Sequence, residues 1–233
     1  MTAQLPKRPD TLVVYPDSDG KPMADNTKQF EWIVLIKKNL DALFADRADV
    51  FVAGDLLWYP VQGEPKIRMA PDVMVVFGRE KGDRGSYQQW KEDGIAPQVV
   101  FEILSPGNTR REMEQKLLFY ERYGVEEYYI YDPDDYTLEG WLRSGVGLEP
   151  IEPIQNWVSP RLGIRFELLL DNLVIYRPDG EPFVSYEVVK AQAEAAQQQV
   201  QDAIPKLLAL GLTREQVAEA LGVEIGDIDR AAD

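Results

Sequence analysis

Residues 97–131 read PQVVFEILSPGNTRREMEQKLLFYERYGVEEYYIY and contain the elements that decide the fold. Val99 to Leu104 is a short apolar run typical of a buried strand, and the turn residues Ser105-Pro106-Gly107-Asn108 end it. Thr109 is the predicted N-cap of a helix whose apolar residues recur at helical spacing until Gly124. Residues 127–131 form the next strand. A strand, a helix and a strand joined by short connections predict two parallel strands with a right-handed crossover, and therefore an α/β fold.

Further elements extend this unit in both directions. Asn26 or Thr27 offers an N-cap for a first helix that runs to Phe44. Residues 49–59 and 67–77 are rich in β-formers and are expected to form a hairpin or neighbouring strands. Residues 138–143 form another strand, which follows a turn at residues 132–135.

The ends of the chain differ in composition from its middle. Residues 1–26 hold four prolines and a turn cluster, which predicts an extended arm. Ala and Gln dominate residues 187–203, and Leu207 to Leu221 with Gly222 as a stop outline a small helical hairpin. We therefore expect an arm at 1–26, a central domain at 27–186 and a helical C-terminal extension at 187–233.

Composition restricts the chemistry that the chain can perform. Its 233 residues include 40 acidic and 25 basic side chains, which give a net charge of −15. The absence of Cys and His excludes a disulfide framework, a zinc–thiolate site, an imidazole base and a Ser-His-Asp triad. Neither a signal peptide nor an apolar run of about 18–20 residues is recognisable, so we expect a cytoplasmic protein without membrane contact.

Two carboxylates lie within apolar strands. Asp72 directly precedes the apolar run Val73–Phe77, and Glu102 lies inside the apolar run Val99–Leu104. A buried ionised carboxylate is usually paired, hydrogen-bonded or bound to a metal. Two of them on neighbouring strands would suit a hard cation such as Mg²⁺. The alternative is that each acid lies near a strand end and contacts solvent or a backbone N–H.

The helix after Glu102 carries Glu112, Lys116 and Tyr120 on one face. If this helix packs over the sheet, the Lys116 ammonium points toward the strand that holds Glu102. There it could orient a water molecule and offset negative charge in phosphoryl transfer. The alternative is an ordinary surface pair between Glu112 and Lys116.

These residues resemble the Uma2 family, also known as DUF820, a group of restriction endonuclease-like proteins abundant in cyanobacteria. The resemblance covers roughly residues 10–180, and residues 15–24 look like the cyanobacterial branch. Four segments carry it: Ala70-Pro71-Asp72-Val73, the run from Phe101 to Thr109, Lys116 with Tyr120, and the run from Tyr123 to Pro133.

The resemblance implies a PD-(D/E)XK fold, with a central mixed β-sheet flanked by helices. It matches Asp72 and Glu102 to the family's two metal-binding acids, with Mg²⁺ or Mn²⁺ as the cofactor. The sequence departs from the superfamily pattern at Leu104, where Lys would be expected. Lys116 matches a position to which the family's lysine has migrated on the following helix, and Glu112 matches an acid one turn earlier.

The resulting hypothesis is a Mg²⁺-dependent endonuclease that cleaves DNA, with Asp72, Glu102 and Lys116 as its catalytic residues and the Ile103 carbonyl as a further metal ligand. The alternative keeps the fold without catalysis, as an interaction or regulatory protein. A homodimer is expected in either case.

Glu31 and Asp55 are weaker site candidates. Eight basic residues that flank the site in sequence could form a positive rim for DNA: Lys66, Arg68, Arg79, Lys81, Arg84, Lys91, Arg110 and Arg111.

Overall fold

The computed structural model of the protein describes residues 13–18, 20 and 22–232. The predicted arm of residues 1–26 therefore lies partly outside the described residues, and its described part contains neither helix nor strand. No helix within the described residues combines the length and the hydrophobicity that a membrane span requires.

The described residues form ten strands and five α-helices. The strands are β1 (Val50–Gly54), β2 (Trp58–Tyr59), β3 (Val73–Phe77), β4 (Tyr87–Gln88), β5 (Val99–Ile103), β6 (Glu127–Asp132), β7 (Thr137–Ser144), β8 (Gly147–Pro150), β9 (Arg165–Leu168) and β10 (Leu173–Tyr176). The helices are α1 (Thr27–Leu43), α2 (Arg110–Tyr123), α3 (Tyr186–Ala209), α4 (Arg214–Leu221) and α5 (Ile225–Ala232).

Six strands form a mixed sheet in the order β1-β3-β5-β6-β7-β8. β5 and β6 are parallel and are connected through α2, whereas the other neighbours in this sheet are antiparallel. The predicted α/β class, a central mixed sheet flanked by helices, is confirmed. Residues 49–59 and 67–77 contain two neighbouring strands, β1 and β3, rather than a tight hairpin.

Alternating side chains of the sheet pack against helices on opposite faces. Phe101 and Ile103 share one core cluster with the apolar stripe of α1. Val100 belongs to a second cluster with Tyr120 of α2 and Tyr128 of β6. Because side chains alternate along a strand, Glu102 points to the α2 face.

A second compact unit begins at Val184, after the first unit ends at Phe183. It contains α3, α4 and α5, and its core is formed by Ile204, Val217 and Ile228. The predicted C-terminal helical extension is present, and α4 has its N-cap at Thr213 and the predicted stop at Gly222, whereas Leu207 and Leu208 do not begin a separate helix. α3 is one continuous helix that passes through Pro205, and α5 is an additional helix. Leu207 and Leu208 extend α3 because they pack against the same core as Ile204.

Candidate active site

The strand register brings Asp72 and Glu102 together. β3 and β5 are antiparallel with Val73 opposite Phe101, so Asp72, one residue before β3, lies opposite Glu102. Both side chains point to the same face of the sheet. They are nearly inaccessible, with relative exposures of 8% for Asp72 and 1% for Glu102.

Helix α2 places an amine and a phenol on Glu102. Lys116 Nζ lies 2.7 Å from Glu102 Oε2, and the Tyr120 hydroxyl donates a hydrogen bond to Glu102 Oε1. Glu112 does not form an ion pair with Lys116; its carboxylate instead accepts a 3.4 Å hydrogen bond from the Asn108 amide. Lys116 thus contacts the sheet acid rather than forming the surface pair that was the alternative.

The ends of α2 explain why these side chains reach the strand. Thr109 Oγ1 accepts a hydrogen bond from the Glu112 N–H, which fixes the start of the helix directly after the β5 turn. Gly124 ends the helix in a left-handed conformation at φ 96°, which glycine adopts without strain. Between these caps, Lys116 and Tyr120 lie one turn apart on the inner face of α2.

The cluster holds two acids and one amine, and its surroundings oppose the ionisation of Asp72. Burial raises the pKa of Asp72 well above its usual range, and the negative charge of Glu102 raises it further. Lys116 and the Ile103 N–H oppose this shift without cancelling it. Burial lowers the pKa of Lys116, but Glu102 and Asp72 outweigh burial and raise it overall, so the amine remains charged. Two acids therefore share one ammonium group.

The donor set fits a hard divalent cation. Asp72 Oδ2 accepts a 2.6 Å hydrogen bond from the Ile103 N–H, whereas no hydrogen bond from a described residue reaches Asp72 Oδ1. Within the described part of the chain, no three acidic groups cluster in a way that could hold a metal. Two carboxylates are nevertheless sufficient for Mg²⁺, which commonly keeps several of its water ligands.

Gln29 of α1 supports the same strand from the opposite face, a role that the sequence interpretation missed. Its amide donates a 2.8 Å hydrogen bond to the Ile103 carbonyl, the group expected to serve as a further metal ligand. Its own side-chain oxygen accepts from the Asp25 N–H. A signal was available, since Gln29 is the polar member of the buried stripe that continues through Ile33, Ile36 and Leu40.

The two weaker site candidates, Glu31 and Asp55, are placed differently from Asp72 and Glu102. Glu31 is exposed on α1, two residues from Gln29 and therefore on another side of the helix. Asp55 follows β1, and its backbone N–H donates to the Asp72 carbonyl at 3.2 Å. The charge of Asp55 is the smallest of the contributions that raise the pKa of Asp72.

The turn after β5 is held by its own side chains, for which the sequence indicates only that they end the strand. Asn108 Oδ1 accepts a 2.8 Å hydrogen bond from the Ser105 N–H. The Ser105 hydroxyl donates to Asp25 Oδ2 at 2.8 Å. This turn therefore links the end of β5 to the segment that precedes α1.

The predicted positive rim is only partly available. Arg79 and Arg84 both form ion pairs with Glu92, and Lys81 donates to the backbone carbonyls of Phe44 and Ala45. These three follow the C-terminal end of β3, whereas Asp72 precedes its N-terminal end. Arg111, at the start of α2, is exposed and has no ion pair among the described residues.

Comparison with known proteins gives one family match. The model of the family described as "Uma2: Putative restriction endonuclease" matches residues 21–172. No curated protein matches the chain. A solved structure described as "a putative nuclease belonging to DUF820 from Anabaena variabilis ATCC 29413" is 17% identical, with a TM-score of 0.44, over 61% of this chain and 78% of the other.

Proposed function

Because the chain belongs to the Uma2 family of restriction endonuclease-like proteins, we propose that it is a metal-dependent endonuclease that hydrolyses DNA phosphodiester bonds, with Mg²⁺ or Mn²⁺ as its cofactor. The observation that carries the proposal is the convergence of Asp72, Glu102 and Lys116, two acids and one amine, in one buried cluster. We expect the protein to act in the cytoplasm.

Asp72 and Glu102 would hold the cation, which supplies Lewis-acid activation of the phosphodiester and of the attacking water. Asp72 offers the oxygen that no described donor occupies. Glu102 is fixed by Lys116 and Tyr120, and each of its oxygens retains a lone pair for a further contact. The Ile103 carbonyl keeps one lone pair as well, since Gln29 takes only one.

Lys116 would contribute positive charge directly to the reaction. Its ammonium has three donors, and only one is needed for Glu102. The others can orient the water and stabilise the charge that develops on the phosphoryl oxygens. The raised pKa of Lys116 keeps this charge in place, so the residue acts as an electrostatic stabiliser rather than as a proton acceptor.

Plasmid nicking tests the proposal. Supercoiled DNA incubated with the protein and Mg²⁺ or Mn²⁺ is expected to become nicked, and EDTA is expected to stop the reaction. Asp72→Asn and Lys116→Met are expected to abolish nicking, whereas Glu31→Gln, on the exposed side of α1, should retain it. Equal inertness of the wild type and all variants toward duplex DNA, single-stranded DNA and RNA would remove the enzymatic proposal.

A second candidate function is a catalytically inactive interaction or regulatory protein. Two observations favour it. Glu102 and Ile103 already have internal partners, and three of the eight residues of the expected basic rim, Arg79, Lys81 and Arg84, are engaged elsewhere. A net charge of −15 also opposes nonspecific binding to DNA. Metal binding separates the candidates, because an inactive relic has no need to bind Mn²⁺ through Asp72.

Two-strand cleavage also makes a homodimer the expected assembly. Each subunit contains one candidate cluster, and a dimer with two-fold symmetry presents two. Sedimentation of the full chain tests this expectation independently of cleavage.

A further inference from the structure

The side chain of Tyr128 on β6 carries a buried hydroxyl that has no partner among the described residues. Tyr128 is fully buried, and within the described part of the chain its phenolic oxygen neither donates nor accepts a hydrogen bond. An unpaired polar group in a protein core lowers stability, and native proteins contain few of them. The hydroxyl of Tyr128 therefore needs an explanation.

Packing of the Tyr128 ring does not supply that explanation. The ring stacks on Trp141 with a distance of 5.3 Å between the ring centroids. It also meets the ring of Tyr120 in an edge-to-face contact, with the centroids 4.9 Å apart. A phenylalanine would keep both contacts, because they involve only the ring. The hydroxyl is thus retained for a polar partner rather than for the core.

The surroundings of Tyr128 place its hydroxyl on the side of the candidate site. Tyr128 lies opposite Val100 in the parallel β5–β6 register and shares its core cluster on the α2 face of the sheet. Glu102 is the next residue of β5 on that face, and Ile130 of β6 lies opposite it. Burial raises the pKa of Tyr128, and the negative charges of Glu102 and Asp72 raise it further. The acid pair therefore acts directly on this hydroxyl.

Glu102 is the acceptor that the Tyr128 hydroxyl can serve. In the described structure, Lys116 Nζ and the Tyr120 hydroxyl hold its carboxylate. A divalent cation on Glu102 competes with the Lys116 ammonium, because two positive charges beside one carboxylate repel each other. Carboxylates that bind metals are themselves usually held by hydrogen bonds from the protein. Tyr128, whose ring lies against Tyr120, has a donor that no described residue uses.

We propose that Tyr128 is a positioning residue of the cation site and that its hydroxyl donates to Glu102 when the site holds a divalent cation. This inference rests on the proposed function, since it needs the cation site at Asp72 and Glu102. Lys116 and Tyr120 hold Glu102 in the metal-free protein, and Tyr128 joins them in the loaded protein. The unpaired hydroxyl lowers the stability of the metal-free protein and strengthens cation binding.

Urea denaturation of metal-free Tyr128→Phe tests the unpaired state. Because the variant loses no hydrogen bond, its urea midpoint should equal or exceed that of the wild type. Tyr129→Phe is the matched control, since Tyr129 is the next residue of β6, is equally buried, and donates to Glu127 Oε2 at 2.9 Å. Its urea midpoint should fall. A lower midpoint for Tyr128→Phe as well would show that the hydroxyl has a partner in the metal-free protein, such as a buried water molecule, and would overturn the proposal.

Calorimetric titration with Mn²⁺, without DNA, tests the loaded state. Tyr128→Phe is expected to raise the Kd for Mn²⁺ by roughly tenfold, the effect of losing one hydrogen bond to a charged group. Tyr129→Phe, whose hydroxyl lies on the other face of the sheet, should leave the Kd unchanged. Equal affinity of the wild type and Tyr128→Phe would overturn this inference alone. A wild type that does not bind Mn²⁺ would overturn the cation site of the proposed function, and this inference with it.

Discussion

Replacement of Asp72 by Asn is expected to stabilise the protein while abolishing metal binding. The ionised carboxylate is buried beside Glu102, and its pKa is raised for that reason. The folded state therefore holds the Asp72 proton more tightly than the unfolded state does. The stability associated with this proton is fully present below the unfolded pKa near 3.8 and is lost as pH rises through the higher folded value.

The expected magnitude follows from two opposing contributions. Each unit of pKa elevation lowers stability by about 1.4 kcal/mol once Asp72 is ionised, and Asn is not subject to this loss. Against this, the 2.6 Å hydrogen bond from the Ile103 N–H loses about 1 kcal/mol when its acceptor becomes neutral. Since burial raises the Asp72 pKa well above its usual range, the first contribution is the larger. We therefore expect Asp72→Asn to be more stable than the wild type at pH 8, with a higher urea midpoint and a higher Tm.

Urea denaturation from pH 8 down to pH 4 measures this effect. The advantage of Asp72→Asn over the wild type should shrink as pH falls through the folded pKa of Asp72. Asp135→Asn, a change of the same type at an exposed position in the β6–β7 turn, should show no such pH-dependent advantage. A variant that is less stable than the wild type at pH 8 would show that Asp72 is a structural acid with a compensating partner, and would contradict the view that burial and Glu102 oppose its ionisation.

Three further predictions concern the same cluster. Lys116→Met removes the partner of a buried carboxylate and should lower the free energy of unfolding by about 3 kcal/mol, measured in urea, with cleavage lost. Tyr120→Phe removes one hydrogen bond to Glu102 and should lower the free energy of unfolding by about 1–2 kcal/mol. An unchanged urea midpoint would mean that this hydrogen bond contributes nothing to stability. Mn²⁺ at about 100 times its Kd should stabilise the wild type by about 2.7 kcal/mol in a thermal scan, and the Asp72→Asn protein should show no stabilisation.

The parts of the site that the sequence could predict are those built by local signals. Thr109 and Gly124 mark the ends of α2, and the short connections force the helix back over the sheet. Lys116 follows Glu102 by only fourteen residues, so the crossover alone brings them together. Their proximity was therefore deducible from periodicity, caps and handedness without knowledge of distant contacts.

The parts that could not be predicted depend on contacts between distant segments. Gln29 reaches the Ile103 carbonyl across 74 positions of sequence. Its place in the α1 stripe indicates that it points inward, but nothing local indicates which strand it contacts. The predicted positive rim is larger than the one that the structure supports, because nearness in sequence does not ensure nearness in space. Seven positions separate Asp72 from Arg79, and along an extended strand these span roughly 20 Å. Glu92, which pairs with Arg79 and Arg84, could not be assigned to them from composition.

The two hypotheses about function make different demands on Asp72. Lys116, Tyr120 and Gln29 each form contacts that an inactive protein would also need, because they satisfy buried polar groups. Asp72 differs, since burial and Glu102 oppose its ionisation and no described donor reaches Oδ1. An amide at this position would retain the contact with the Ile103 N–H without the charge. A protein that needs only the fold has no reason to hold an acid at this position. A protein that binds a cation does have a reason, because residues that lower stability are retained at functional sites when the function needs them. The presence of Asp72 in this chain therefore favours a working cation site over a relic.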